Sequence, residues 1–313
     1  MRTVWAALGF IIMSACGGAP DSAPASTETT EGPPALRLSD PVDFFDCVRE
    51  SNGILIAAHR AGPGAGLPEN ALETMQANFA AGIRIFEVDV VTSRDGVMFL
   101  HHDRSLGRTT TGDGAVADTD WADISDLSLK DIDGAVTPFR PLRLTDALDW
   151  AVETGAILEL DKKETTGWRS LIRAVETAGA TNQVILITYT EDDAALVQNL
   201  LPDAMLTASA RGGRDIAALE DLGIDRRRLI AWTGTRAPDA AAWDRVRNEG
   251  VEAGFGTLGR RGERLDDTYW ADGNGEEYRQ LVADGLTLLA TDEARRVADF
   301  LTEDDRALNA CAP

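Results

Sequence analysis

Hydrophobic and polar positions along the chain switch between two periods. Short apolar runs alternate with stretches in which apolar residues recur every three or four positions, and turn-forming residues separate them. The first run, Gly53 to Ala58, reads as a buried strand; a Gly/Pro-rich loop follows, then a helix from Leu72 to Ala81 that ends at Gly82 as a C-cap. Ile83 to Val90 alternates, so Arg84, Phe86 and Val88 face one way and Ile85, Glu87 and Asp89 the other. Ser93 to Gly96 is a turn signal, and Val97 to Leu100 a further strand.

The same alternation continues to the end of the chain. Strands are predicted at Ala156–Lys163, Val184–Tyr189, Met205–Ala208, Arg228–Trp232, Val251–Gly256 and Leu286–Ala290. Helices are predicted at Asp146–Thr154 with Thr145 as its cap, Gly167–Ala178, Asp192–Leu201, Asp215–Leu222, Pro238–Asn248 with the proline in its first turn, Glu276–Asp284 and Glu293–Leu301. With Val97 to Leu100 set aside as an extra strand, the main series has eight strands. That pattern predicts an α/β fold: one (β/α)8 TIM barrel domain over 38–313 with a small insertion after the second strand, and an active site at the C-terminal strand ends. The polar stretch from Thr257 to Asn274 exceeds what a minimal barrel needs and reads as a lid or wall on the substrate side.

The N-terminus is set apart by composition. Val4 to Met13 is an apolar segment too short to span a bilayer, and Met13-Ser14-Ala15-Cys16 resembles the lipobox of bacterial lipoproteins. Residues 1–16 are therefore read as a lipoprotein signal peptide, with lipid on Cys16 as the membrane attachment, and 17–37, rich in Gly, Ala, Pro, Ser and Thr, as a flexible tether. No aspartate follows Cys16, and the resemblance points to an exported protein at the outer membrane facing the periplasm; the alternative is a soluble periplasmic protein. Cys47 and Cys311 then form an even pair in an oxidising compartment, and a closed barrel brings the ends of the chain together, so a disulfide between them is expected; two separate buried thiols stay open as the alternative.

Charge narrows the partners. With 30 Lys+Arg against 52 Asp+Glu the formal net charge is −22, which disfavours nucleic acid and bare anionic membrane. An anionic small substrate needs a local metal ion and placed cations to enter such a field.

All three histidines, His59, His101 and His102, fall in one stretch that also holds Glu69, Glu87, Asp89 and Asp103. Proton transfer by histidine near neutral pH has to happen there. In order, the chain reads His59-Arg60, Pro68-Glu69-Asn70, Glu87-Val88-Asp89, Asp95-Gly96, His102-Asp103 and Arg108-Thr109-Thr110. In sequence and spacing these fragments resemble the N-terminal signature of the glycerophosphodiester phosphodiesterase family; Ala61 stands where that family usually has glycine, and Ala71 where threonine is common. Trp232-Thr233 and Thr291-Asp292 extend the likeness.

The resemblance implies metal-dependent hydrolysis of glycerophosphodiesters to glycerol 3-phosphate and an alcohol. His59 and His102 would be general base and acid, in an order the sequence does not give. Arg60 and Lys163 would hold substrate phosphate. Glu87, Asp89 and a third-strand carboxylate, with Glu69 as a further candidate, form a hard oxygen set for one divalent cation, Ca2+ or Mg2+. On that third strand Glu159, Asp161 and Lys163 share a face; Asp161-x-Lys163 matches the family best and Glu159 is the runner-up. His101 reads as structural, Asp103 as a partner that orients a neighbour, and Trp232 as a pocket residue. Two other readings stay open: a lysophospholipase D- or phospholipase C-like enzyme on lipid diesters, favoured by an apolar rim, and a non-catalytic phosphodiester-binding lipoprotein.

Overall fold

The computed structural model describes residues 40–210 and 216–311; the predicted signal peptide, Cys16 and the tether lie outside the described residues. The chain opens with helix α1 (Pro41–Glu50), β1 (Leu55–Ala58), α2 (Leu72–Ala80), β2 (Ile85–Thr92) and β3 (Met98–Leu100). The short helix α3 (Trp121–Ser125) leads to α4 (Leu144–Thr154), β4 (Ile157–Lys162), α5 (Trp168–Ala178), β5 (Val184–Ile187), α6 (Glu191–Leu200), β6 (Met205–Ser209) and α7 (Ile216–Asp221). Then come β7 (Leu229–Trp232), α8 (Ala240–Asn248), β8 (Glu252–Gly256), α9 (Leu265–Tyr269), α10 (Glu276–Ala283), β9 (Leu288–Thr291), α11 (Ala294–Phe300), α12 (Glu303–Arg306) and α13 (Leu308–Cys311).

Eight of these strands are parallel and close on themselves, in the order β1, β2, β4, β5, β6, β7, β8, β9 and back to β1. This is the expected (β/α)8 barrel. Strand β3 lies outside the ring, antiparallel to the end of β2 with Val91 opposite Phe99, so the predicted extra strand begins the insertion. Phe99, Leu106, Val116, Trp121 and Ile124 pack with Val91 into a small core of their own that supports this insertion.

Alternation along β2 works as the sequence implied. Phe86, Val88 and Val90 join the layer between strands and helices, and Ile85 packs inside the barrel. Helix α1 closes the barrel's N-terminal end: Phe44, Phe45 and Val48 pack on Leu55, Ile85, Ile157, Ile185, Met205, Ile230 and Leu288 inside the ring. Asp40 caps this helix through the Val42 amide at 3.0 Å, with Pro41 in its first turn. The expected disulfide joins Cys47 of α1 to Cys311 of α13, with Cα atoms 5.6 Å apart.

Two predicted caps are corrected. Helix α4 starts at Leu144 without a side-chain cap, and the Thr145 hydroxyl, already inside its first turn, bonds Asp146 instead. Pro238 precedes α8 without entering it, because Asp239 takes the capping position and accepts from the Ala242 amide at 2.9 Å. At α8 the polar side chain able to reach back to the first turn sets the boundary, whereas α4 begins uncapped.

Candidate active site

The C-terminal half of β2 aims Glu87 and Asp89 into the barrel mouth, and the β4 register sets Glu159 level with Glu87 and Asp161 level with Asp89. Ligand-type oxygens of Glu87, Asp89 and Asp161 lie within 4.8 Å of one another, and all three side chains are buried. Burial, and then the charges of Asp89 and Asp161, push the Glu87 carboxyl well above its ordinary range. Burial acts on Asp89 in the same direction, but the charges of Lys163, His102 and Arg60 together outweigh it and hold that carboxyl low. Lys163 Nζ sits 2.6 Å from Asp89 Oδ1 and 2.6 Å from Asp161 Oδ2. Asn70 grips Asp89 twice, donating to Oδ2 at 2.8 Å and accepting from the Asp89 amide at 2.9 Å.

Each histidine at the mouth is held by a carboxylate. His59 Nδ1 is 2.6 Å from Asp292 Oδ1, and its Nε2 lies 3.9 Å from Glu87 Oε2. His102 Nδ1 is 2.7 Å from Asp103 Oδ1. Hydrogen bonds from Arg108, foremost, and from His102 keep Asp103 ionised; for Asp292, the bonds from His59 and Arg264 overcome its burial. An ionised carboxylate only accepts, so both rings carry their proton on Nδ1 when neutral and present the Nε2 lone pair. His101 behaves differently. It is buried, bonds the Ser105 carbonyl at 3.0 Å, and burial lowers its pKa, as befits a structural residue.

Arg108 ties the insertion to the first loop. Its guanidinium takes both oxygens of Glu69, at 2.7 and 2.8 Å, and both of Asp103, at 2.5 and 3.0 Å. Glu69 also receives Arg60 Nη1 at 3.3 Å. Both oxygens of Glu69 are thus committed to guanidinium groups, and it stands outside the cluster of Glu87, Asp89 and Asp161. Glu159 too stands outside that cluster; burial, with the charge of Asp161, moves its carboxyl up to about 8. Between the two third-strand candidates the geometry selects Asp161.

A divalent cation suits this donor set. Three buried carboxylates supply hard oxygens, and Asp161 Oδ1 is buried without a hydrogen-bond partner among the described residues, an acceptor that only a cation or a donor from outside the chain satisfies. Arg60 offers the complementary group, a buried Nε without a hydrogen-bond partner among the described residues, 3.8 Å from Asp89 Oδ2. Its backbone amide fixes Glu87 through Oε2 at 2.7 Å. Arg60 and Ala61 reach these positions with left-handed backbone (φ 51° and 72°), so the first loop follows the path a glycine would favour with alanine in its place.

The mouth opens as a cavity of about 290 Å³. His59, Glu87, Glu159 and Asp161 line it together with the apolar Ile187, Trp232 and Leu258 and the hydroxyls of Thr188, Thr207 and Ser209. Trp232 fits because β8 offers Gly254 and Gly256 beneath it: a Cβ on either would lie 3.2 or 3.1 Å from the indole. His102, Asp103 and Lys163 line an adjoining cleft. Sequence reasoning named the charged groups and Trp232 but gave no role to Asn70, Asp292, Arg108 or Tyr189, whose hydroxyl donates to Asp161 Oδ2 at 2.8 Å. Asn70 and Arg108 lay in the quoted motif, and Tyr189 and Asp292 follow strand ends, which is where a barrel places such groups.

A family model for glycerophosphoryl diester phosphodiesterases matches residues 59–212. The protein YqiK of Bacillus subtilis is 30% identical over 179 residues, covering 54% of this chain and 73% of YqiK. A probable glycerophosphodiester phosphodiesterase 2 of Mycobacterium tuberculosis is 26% identical over 198 residues, 63% of this chain and 66% of that protein. Among solved structures, a glycerophosphoryl diester phosphodiesterase from Parabacteroides distasonis superposes with a TM-score of 0.74 at 25% identity, over 89% of this chain and 95% of that one. An Oleispira antarctica phosphodiesterase, solved with its product sn-glycerol-3-phosphate, shares the fold with a TM-score of 0.60 at 19% identity, over 80% of this chain and 98% of that one.

Proposed function

The chain belongs to the glycerophosphoryl diester phosphodiesterase family, and from that membership we propose that it hydrolyses glycerophosphodiesters to glycerol 3-phosphate and an alcohol, with His59 and His102 sharing the proton transfers. It is a phosphoric diester hydrolase, and the barrel mouth is where the reaction is read to occur. One observation carries the reading: two histidines, each fixed at Nδ1 by an ionised carboxylate, stand at a mouth that also holds a buried three-carboxylate cluster.

In this account Glu87, Asp89 and Asp161 hold one divalent cation, Ca2+ or Mg2+. When bound, such an ion polarises a phosphoryl oxygen and neutralises charge that develops on it. The rest falls to the chain's own groups. Arg60 gives its open Nε to a second phosphoryl oxygen, and Lys163, set between Asp89 and Asp161, adds positive charge beside the same phosphate. One histidine takes a proton at Nε2 from the attacking hydroxyl while the other delivers one to the departing alcohol. The attacking hydroxyl is read as the neighbouring one on glycerol, which forms a cyclic phosphate before water opens it; a diester without that hydroxyl, cleaved equally fast, would count against this route. The apolar residues Ile187, Trp232 and Leu258 in the cavity lining favour a bulky or lipid-bearing alcohol as the second reading of substrate choice.

Export and lipid attachment at Cys16 are part of the proposal, supported by the lipobox-like Met13-Ser14-Ala15-Cys16 and by the Cys47–Cys311 disulfide, which suits an oxidising compartment. Metabolic labelling with palmitate should mark the wild-type chain and spare Cys16→Ala; equal labelling of both would remove the anchor.

The enzymatic reading is tested by assaying the full chain on glycerophosphodiesters of different headgroups and on a lysolipid, beside His59→Ala and His102→Ala. Release of glycerol 3-phosphate by the wild type, reduced at least about 100-fold in each variant, is expected from the usual contribution of acid–base catalysis. Turnover of the lysolipid alone would shift the substrate to the second reading.

A further inference from the structure

We infer that the excursion between β8 and α10 is the mount of His59, with Arg264 and Asp266 as positioning residues that act through Asp292. The inference rests on the reading of His59 as a proton-transfer group. The polarity of this stretch suggested a lid or wall, yet of its residues only Leu258 lines the cavity. Residues 259–263 and 271–274 stay exposed, while Arg264 and Asp266 turn inward against Asp292.

Three strands of evidence meet there. Asp292 Oδ1 holds His59 Nδ1, which leaves Oδ2 to be satisfied; Arg264 Nη1 lies 2.8 Å from it and the Gly259 amide donates to it at 3.0 Å. Arg264 is itself fixed by Glu293 at 2.8 Å and Asp267 at 3.1 Å, with only a tenth of its side chain exposed, so its guanidinium is a rigid prop. Asp266, fully buried, accepts from the Asp292 amide at 2.9 Å, from the Thr291 hydroxyl at 2.7 Å and from the Tyr278 hydroxyl at 2.6 Å. Backbone and side chain of Asp292 are therefore gripped from the same excursion, one by Asp266 and the other by Arg264. A carboxylate with two oxygens so committed can offer His59 one lone-pair direction only, which sets the tautomer and the plane of the ring.

The geometry makes a prediction that a wall does not. In Arg264→Gln the Asp292 side chain loses its prop, the imidazole swings, and kcat falls about 10- to 100-fold with KM changed less than about twofold, the size of effect expected when a reacting group is misplaced by about 1 Å. Arg264→Lys, which keeps the charge but serves fewer partners at once, recovers part of the rate and guards against a folding defect in the first variant. The low-field proton resonance of His59 Nδ1–H, assigned by its loss in His59→Gln, should be present in the wild type, absent or displaced in Arg264→Gln, and partly restored in Arg264→Lys. Retention of that resonance and of kcat in Arg264→Gln would overturn the inference, as would a rise in KM alone, which is what removal of a substrate wall produces. If the resonance responds as expected while the wild type turns over no diester, the mount stands and the catalytic reading of His59 fails.

Discussion

Asn70 adopts a left-handed backbone (φ 57°) and is buried, an unfavourable combination for a residue with a Cβ, and its amide spends both ends on Asp89. Strain of this kind persists where the surroundings over-determine it, and here they also set the direction of a carboxylate in the cluster. Asn70→Ala frees Asp89 to turn, and the affinity for Mg2+ or Ca2+ should fall about 10- to 100-fold, as is usual when a group behind a ligand is lost. Calorimetric titration of the ion into the two proteins measures this; equal affinities would show that Asp89 needs no such support. At this scale the sequence spoke clearly for residues within one stretch. His59, Glu87, Asp89 and His102 are close along the chain, so a motif conveys them together. Asp292 is paired with His59 across 233 positions by the closing pair β1 and β9, and Tyr189 with Asp161 across 28 by the pairing of β4 with β5. For Glu69 the reverse holds: its motif position is conspicuous, while the two arginines that pair with it are visible only in three dimensions.

Elements were easier to read than their ends. The two periods located the barrel strands and the helices around them, since a strand buried on both faces and a helix buried on one leave different apolar patterns. Boundaries moved at both predicted starts: α4 begins uncapped at Leu144, and Asp239 takes the place before α8. Helix α1 went unread although Asp40, Pro41 and the apolar set Phe44, Phe45 and Val48 spell a capped amphipathic turn, because an element that plugs a barrel lies outside the strand–helix alternation. Its plug can be tested by itself. Phe45 is fully buried against the barrel interior, and Phe45→Ala should lower stability by about 3–5 kcal/mol, the range for such truncations, while kcat at low temperature stays close to that of the wild type because the opposite end of the barrel carries the site. Denaturant unfolding and a rate measured below the transition check the two halves of that statement. A loss of rate matching the loss of stability would couple the plug to the mouth.

The whole molecule adds two features that belong to no single element. The Cys47–Cys311 disulfide closes a loop of 264 positions and staples the plug to the C-terminus. Replacing Cys311 by Ser should cost about 2–5 kcal/mol by the usual effect of removing such a link, and a melting temperature unchanged by the substitution would mean that the packing of α1 alone holds the ends together. The second feature is Glu252, fully buried at the base of the barrel with Arg49 Nε 3.5 Å away and no hydrogen-bond partner for either oxygen among the described residues. Burial raises its carboxyl to about 8, so the folded chain holds this proton more tightly than the unfolded chain does. Its stabilising contribution is therefore complete below the ordinary carboxylate range and declines as pH rises toward 8. Glu252→Gln should melt with a smaller drop between pH 5 and pH 8 than the wild type shows; identical slopes would place the proton elsewhere.

The central claim is that the buried carboxylates at the mouth serve hydrolysis by holding a cation. Its most direct test is the rate of glycerol 3-phosphate release by the full chain after chelation, on re-addition of Mg2+ or Ca2+, and in Asp161→Asn. Turnover should vanish with chelator, return in proportion to added cation, and stay low in Asp161→Asn unless the cation is raised well above the wild-type requirement. Undiminished release in chelator, or the same cation requirement in both proteins, would contradict the account.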